Sequence, residues 1–278
     1  MPPEPATPPL PRGLRTFSFS GAKGSLSTSV NAYLLEGERP VLIDTGFSGE
    51  ARGMGGKLPA LEVAAGTLLL THLHRDHAGG ASALSRAGLE VCLHRAETHL
   101  YADRIAGLSG VRYLRDGETV DSPLGPLVAL HTPGHARGHL CFYLKREGVL
   151  FSGDLVTGEP SSWVGAPDGD MADYLASLRR IAGLPLRLLL SGHGPPVEDP
   201  AEKIEAYIQR RLEREGDILR ILGDGEAGIP DLTRRIYHGR GLSPGLQGFA
   251  EKTVEAHLVK LYAEGRVKRS AAAAYALA

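Results

Sequence analysis

The chain has 278 residues, 42% of them hydrophobic and 23% charged, with a formal net charge of -1. This length holds one large domain, or one of about 200 residues with a small appendage. The near-neutral charge excludes whole-chain polyanion binding and leaves a local basic face as the only route to nucleic acid. Two cysteines, Cys92 and Cys141, sit in apolar runs without a CxxC pair, which excludes a disulfide framework and reads as two buried thiols.

Residues 1–13 are proline-rich and lack the apolar stretch of a signal peptide, so a flexible leader is expected. No apolar run approaches the ~20 residues needed to span a bilayer, and the expectation is a cytoplasmic protein without a membrane partner. Residues 14–36 predict two strands around a turn at Gly21–Gly24. Val41-Leu42-Ile43 and Thr67–Thr71 are short buried strands, each running into a polar loop, and Ala78–Gly88 reads as a helix ended by glycine. Short strands then alternate with loops through Phe151, the pattern of a layered α/β protein.

Composition changes at Pro200. Ile204, Ile208, Leu212, Leu219 and Leu222 make an apolar stripe on a predicted helix over 201–222. Further helices are predicted over 230–237 and 249–265, and a short basic strand over 265–269. Three helices and a terminal β element outline a winged helix over 201–270, followed by a tail, 271–278, expected to fray. Asp224 to Ser270 holds eight Lys or Arg and six Asp or Glu. Arg234, Arg235, Arg240, Arg266, Lys268 and Arg269 are the residues that could form a basic patch for phosphate.

The chemistry is concentrated in Thr71-His72-Leu73-His74-Arg75-Asp76-His77, with three histidines and one aspartate in six positions. A loop leaving a strand can turn His72 and His74 to one metal ion and Asp76 and His77 to a second, because imidazole and carboxylate are the donors Zn²⁺ prefers. Three more candidate ligands each close an apolar run beside glycine: His135 in Thr-Pro-Gly-His, Asp154 in Phe-Ser-Gly-Asp, and His193 in Ser-Gly-His-Gly. Ser152 reads as a turn residue. His94, His99, His131, His238 and His257 read as surface or packing residues.

With HxHxDH followed by a later His, Asp and His, the sequence resembles the metallo-β-lactamase superfamily. The resemblance implies an αββα four-layer sandwich over 14–200. It implies one metal on His72, His74 and His135, a second on Asp76, His77 and His193, and Asp154 bridging both. Asp44 in Leu-Ile-Asp-Thr-Gly matches an aspartate that supports the metal loop from behind. His139, four residues after His135, is a possible substrate contact at the mouth of the site, and Trp163 and Arg137 are candidates to line the groove. Two zinc ions per chain are expected, with iron or manganese as alternatives. Such a pair delivers hydroxide to a substrate, with Asp76 able to take up a proton.

Beyond the ligands, Tyr174–Leu178, the His193 loop, the helix over 204–222 and the winged helix are similar to the beta-lactamase-like protein 2 family, with a departure at Gln209. That family includes acyl-carrier thioesterases and a single-stranded-RNA endoribonuclease. The gap of 38 residues between Asp154 and His193 leaves no room for an inserted nuclease domain. The leading expectation is hydrolysis of a small acyl ester or thioester, with single-stranded-RNA cleavage as the alternative. A regulatory nucleic-acid-binding module with a decayed metal site is a third reading, opposed by the complete ligand set. A homodimer is a further possibility.

Overall fold

The structure, a computed structural model, describes residues 9–20, 29–47, 66–159, 161–239, 242, 244–270 and 274–278. The turn predicted at Gly21–Gly24, Arg240 of the basic patch and most of the proline-rich leader lie outside these residues.

Two sheets form the larger part. The first runs β1 (Leu14–Ser20), β2 (Ser29–Leu35), β3 (Val41–Ile43), β4 (Thr67–Leu69), β5 (Glu90–His94) and β6 (Val111–Leu114), in chain order. The second uses β7 (Thr119–Val120), β8 (Leu127–His131), β9 (Leu140–Leu144), β10 (Val149–Gly153) and β11 (Leu188–Ser191), ordered β11-β10-β9-β8-β7. Side chains along a strand alternate between faces, so a strand covered on both sides reads as an unbroken apolar run. In β9, Leu140, Phe142 and Leu144 enter the core between the sheets, where they meet Tyr33, Leu35 and Ile43. Cys141 and Tyr143, of the opposite phase, pack outward against helices. Both thiols are buried and free, as expected.

Helices cover the two outer faces. α1 (Arg75–Ala78), α2 (Ala81–Arg86) and α3 (Thr98–Ala106) belong to the first sheet's side, where Ala81 and Leu84 pack with Val30, Leu34 and Leu93. The single helix predicted over 78–88 is therefore broken at Gly79–Gly80. α4 (Met171–Ala182) and α5 (Pro200–Gly223) cover the second sheet through Tyr174, Leu175, Leu178, Ile204, Tyr207 and Ile208. Their starts are capped in sequence-legible ways: the Asp170 carboxylate accepts from Ala172 N and Asp173 N, and Asp199 accepts from Glu202 N ahead of Pro200. The order helix, sheet, sheet, helix is the four-layer sandwich expected.

α5 does not respect a boundary at 200. Its first half belongs to the sandwich, while Ile218, Ile221 and Leu222 join a separate core with α6 (Ile229–Tyr237), α7 (Gln247–Ala263), β12 (Val267–Arg269) and β13 (Tyr275–Leu277). The expectation of a frayed tail is corrected here. Tyr275–Leu277 pairs antiparallel with Val267–Arg269, and Tyr275 is buried and bridges to Ala227. Tyr275 anchors the strand because its ring joins the small core, a signal hidden in the sequence by the alanines around it. No helix among the described residues is long and apolar enough to cross a membrane.

Candidate metal centre

β3 and β4 run parallel, as do β10 and β11, so the loops leaving all four emerge at one edge of the sandwich. Asp44 follows β3, the His72–His77 loop follows β4, Asp154 follows β10 and His193 follows β11. His135, four residues beyond β8, joins them. The seven residues read as ligands converge: His72, His74 and His135 form one group of donor atoms, Asp76, His77 and His193 another, and Asp154 forms a third with His72 and His77, each within 4.8 Å. His135 Nε2 lies 3.0 Å from His74 Nδ1, and His77 Nε2 lies 3.3 Å from His193 Nε2. Asp154 spans the two groups, with Oδ2 3.6 Å from His135 Nε2 and 3.3 Å from His193 Nε2, and Oδ1 3.3 Å from His77 Nε2. Asp76 Oδ2 is 3.4 Å from His193 Nε2.

Every imidazole is held from behind by its other nitrogen. His74 Nε2 meets Asp168 Oδ2 at 3.2 Å, His77 Nδ1 meets Asp44 Oδ2 at 2.8 Å, His135 Nδ1 meets the Trp163 carbonyl at 2.7 Å and His193 Nδ1 meets the Ser29 carbonyl at 2.5 Å. His72 Nδ1 lies 3.0 Å from Thr71 Oγ1, whose hydroxyl donates to Asp44 Oδ2 at 2.8 Å. One hydroxyl hydrogen cannot serve both contacts, so Thr71 accepts from His72 Nδ1–H and leaves His72 Nε2 bare towards the cluster. The outward carbonyls and carboxylates likewise take the ring N–H, so each ring, when neutral, keeps its lone pair on the inward nitrogen.

This donor set fits a pair of cations. His72 Nε2 and Asp154 Oδ1 are buried without a hydrogen-bond partner, a costly condition that a cation relieves. Burial, reinforced by neighbouring imidazoles, drives the His72 pKa well below its ordinary value, so that ring is neutral and ready to ligate. Burial also lowers His135, to about 4. His193 goes the other way: burial opposes its charge, but the Asp154 and Asp76 carboxylates outweigh that and raise it to about 10. Burial likewise works against the Asp76 carboxylate, yet His77 and His193 hold it down at about 2. Protons on this side of the cluster thus stand where bound cations would, since ligands must shed protons to bind metal. Gly192 is required beside them, because a Cβ there would come within 2.5 Å of His77 Cε1 and 2.6 Å of Asp154 Oδ1.

Asp44 lies where the resemblance put it, behind the loop, accepting from Thr71 N as well at 2.8 Å. Its φ of 60° is left-handed, unusual outside glycine, and turns the chain out of β3 towards His77. His139 is a correction. It is fully buried, its Nδ1 against Thr132 Oγ1, and its Nε2 accepts from Asp154 N at 3.1 Å. It sits one residue before the apolar β9 and is carried into the interior, so it positions Asp154 and is shielded from any substrate. Arg137 is exposed and contributes its backbone N–H to Asp168; it does not line the cavity over the site. Trp163 does.

Sequence reasoning missed Asp168 and Glu97. Buried Glu97 accepts from Leu73 N at 2.7 Å and Gly138 N at 2.9 Å, tying together the loops that carry His74 and His135. Burial, then the nearby Asp168, pushes its carboxyl up to about 7. Asp168 also receives Tyr101 OH at 3.0 Å and Arg137 N at 2.9 Å.

A cavity of about 670 Å³ opens over the cluster. Its floor is His74, Asp76, His135, Asp154 and His193, and its walls are Trp163, Tyr237, Leu246 and Phe249 with Arg210, Arg211 and Arg214 of α5. The winged helix therefore walls the site. Three residues of its predicted basic patch are ion-paired: Arg234 with Asp231, Arg235 with Asp224 at 2.8 Å, and Arg266 with Glu264 at 3.5 Å and Glu215 at 3.6 Å.

Residues 27–193 match the family described as the metallo-beta-lactamase superfamily, and residues 229–274 match the beta-lactamase associated winged helix domain. A beta-lactamase-like protein 2 homolog of Caenorhabditis elegans is 30% identical over 215 residues, covering 74% of this chain and 70% of the relative. An atrochrysone carboxyl ACP thioesterase of Passalora fulva is 29% identical over 271 residues, covering 92% and 77%. A solved structure described as a di-iron-bound form is 33% identical with a TM-score of 0.54, covering 67% of this chain and 96% of that one. With a complete HxHxDH-type donor cluster at the strand ends of an αββα sandwich, the chain belongs to the metallo-beta-lactamase superfamily of hydrolases.

Proposed function

We propose that this chain hydrolyses an acyl thioester, using two metal ions held by His72, His74 and His135 and by Asp76, His77 and His193, with Asp154 shared between them. The observation that carries the reading is the convergence of five inward imidazole nitrogens and two carboxylates on the floor of a largely apolar cavity. Such a cavity suits an acyl chain, and the thioesterase among the relatives supports a thioester. Zinc is the metal proposed, with iron or manganese as alternatives. When bound, the ions supply an activated water at neutral pH and polarise the scissile carbonyl.

The chain's own groups do the rest. Trp163 and Phe249, edge to face at 5.5 Å, offer the acyl part an aromatic wall. The Trp163 carbonyl at the same time holds His135 Nδ1 at 2.7 Å, linking the wall to the floor. Asp76 turns Oδ2 into the cluster and has its side chain partly exposed to the cavity, which leaves Oδ1 to accept a proton and return it to the departing thiolate. His139 fixes the backbone of Asp154, and Asp44 with Thr71 sets the tautomers of His77 and His72.

The test is initial rates of metal-loaded wild type and Asp76→Asn on acyl thioesters and on labelled single-stranded RNA, with metal content measured alongside. Thioester turnover that the variant loses, with about two metal equivalents per chain, is expected. RNA cleavage without thioester turnover overturns the reading.

A further inference from the structure

The wall that α5 contributes has a chemistry the floor does not explain. Arg210, Arg211 and Arg214 all line the cavity, and among the described residues its only lining carboxylates are Asp76 and Asp154 on the floor. Arg210 and Arg214 stand one helical turn apart, so both project from one face of α5. Two of the three cations have structural work. Arg211 is buried, donates to the Ser162 carbonyl and lies over the Tyr174 ring at 5.2 Å. Arg214 lies over the Tyr237 ring at 4.4 Å, with Asp217 4.0 Å away. Arg210 is exposed at the cavity and meets no hydrogen-bond or ion-pair partner among the described residues. This contrasts with Arg234 and Arg235 on the nearby α6, each paired with an aspartate.

We propose that Arg210, assisted by Arg214, forms an anion subsite at the rim of the cavity, so that the preferred substrate is an apolar or aromatic acyl thioester carrying an oxyanion remote from the reacting carbonyl. The inference rests on the thioester reading for the reaction and adds the substrate's second handle. The guanidinium fork suits carboxylate and phosphate alike. The first would sit on the acyl half of the substrate and the second on its thiol half. An aromatic wall next to an unpaired guanidinium recognises a ligand with an apolar body and an anionic end. Specificity then resides in the C-terminal module and its connecting helix, while the sandwich supplies the reaction.

The experiment uses metal-loaded protein and three thioesters sharing one aryl acyl scaffold: neutral acyl on a neutral thiol, carboxylated acyl on the neutral thiol, and neutral acyl on phosphopantetheine. The anionic-to-neutral ratio of kcat/KM is read in wild type, Arg210→Gln and Arg210→Lys, and the uncleavable thioether of each is titrated by calorimetry. At least one anionic substrate should be preferred roughly five- to tenfold, the scale of a partly exposed ion pair. Arg210→Gln should collapse that preference in both rate and binding, through KM more than kcat, and Arg210→Lys should keep most of it. The arm that responds says whether carboxylate or phosphate is the ligand. Equal use of all three thioesters, or a preference unmoved by Arg210→Gln, overturns the subsite while leaving thioester hydrolysis in place. Conversely, Arg210-dependent binding of an anionic thioether with no turnover of any thioester upholds the subsite and removes the reaction assigned to it.

Discussion

Asp44→Asn isolates what the residue behind the metal loop does, because it keeps the shape and removes one acceptor. The carboxylate receives three hydrogen bonds, each 2.8 Å: Thr71 N on Oδ1, and Thr71 Oγ1 and His77 Nδ1 on Oδ2. Asparagine tolerates the left-handed φ of 60° well, so backbone strain does not enter. The amide oxygen must face either Thr71 N–H or His77 Nδ1. A backbone N–H cannot change its role, whereas an imidazole has a second tautomer, so the oxygen goes to Thr71 and the NH₂ to His77. His77 Nδ1 then accepts, its proton moves to Nε2, and the nitrogen facing Asp76 and His193 loses its lone pair. The same NH₂ crowds the Thr71 hydroxyl that orients His72.

Hydrogen bonds to a charged group contribute about 1.5–3 kcal/mol each, and supporting residues of this kind change metal affinity about 10–100-fold. Asp44→Asn should therefore weaken metal binding by at least tenfold, first in the group of Asp76, His77 and His193. The folded protein should survive, with a fall in metal-free stability of about 1–3 kcal/mol. Competition with a chromophoric chelator measures the affinities, and a thermal melt of the metal-free protein measures the fold. Wild-type affinity for both metals in Asp44→Asn would refute the tautomer argument, and a metal-free variant that is unfolded would show that Asp44 serves the fold instead.

Four other outcomes follow from the same geometry. Gly134→Ala should cost several kcal/mol or prevent folding, because φ is +131° and a Cβ would lie 2.2 Å from the Tyr174 Cα; solubility and a urea melt report it. His139→Ala should lower metal occupancy and stability together, by about 2–4 kcal/mol in the latter, since it orphans the Asp154 N–H and opens a cavity; full occupancy would return His139 to a packing role. Chelation should abolish hydrolysis and lower the melting temperature, restored by zinc, because the metals bind only the folded cluster; activity surviving exhaustive chelation would end the metal reading. For pH, burial holds His257 at about 4, against the opposing pull of Glu215, so between its ordinary 6.5 and 4 the unfolded chain takes up a proton that the folded chain refuses. Its contribution to stability is full above pH 6.5 and declines by up to about 3 kcal/mol as pH falls to 4, a dependence that His257→Gln should flatten in melts between pH 7 and 5.

How much of this was legible in the sequence depends on whether a feature is local. The candidate ligands were readable because three of the five histidines and Asp76 crowd one loop, and the other three each follow an apolar strand and stand beside glycine. The strands were readable because burial on both faces gives Leu140–Leu144 and Leu188–Leu190 an unbroken apolar composition. Asp168 and Glu97 were not readable, since each is a lone carboxylate whose partners lie far off along the chain: Glu97 binds Leu73 and Gly138, and Asp168 binds His74. Only the meeting of three loops in space gives them meaning. His139 was misplaced for a related reason. A polar residue next to a ligand loop suggests a site mouth, but its neighbour Leu140 begins a fully buried strand, and that was the stronger indication. Tyr275 was hidden among alanines, where its one aromatic ring was the only sign of a buried partner.

The division of labour along α5 explains why composition placed a boundary at 200 where the packing places none. Ile204 and Ile208 are sandwich core, Ile218 and Leu222 are winged-helix core, and the arginines that face the cavity lie between these two anchors. A helix fixed at both ends by separate apolar cores cannot rotate without unpacking one of them. Arg210 and Arg214 are thus held at a set height over the candidate metal ligands, although neither is itself buried beside them. The ligands, in contrast, are fixed by hydrogen bonds from behind, within loops short enough to leave the strand ends almost directly. The two modes have different tolerances. Substitutions on the cavity side of α5 and α7 can change what is bound without disturbing the floor, whereas the residues behind the histidines cannot change without altering which ring nitrogen carries a lone pair. Variation in substrate among chains of this fold is therefore expected to map to the walls contributed by the C-terminal module, with the set Asp44, Thr71, Glu97, His139 and Asp168 changing far less.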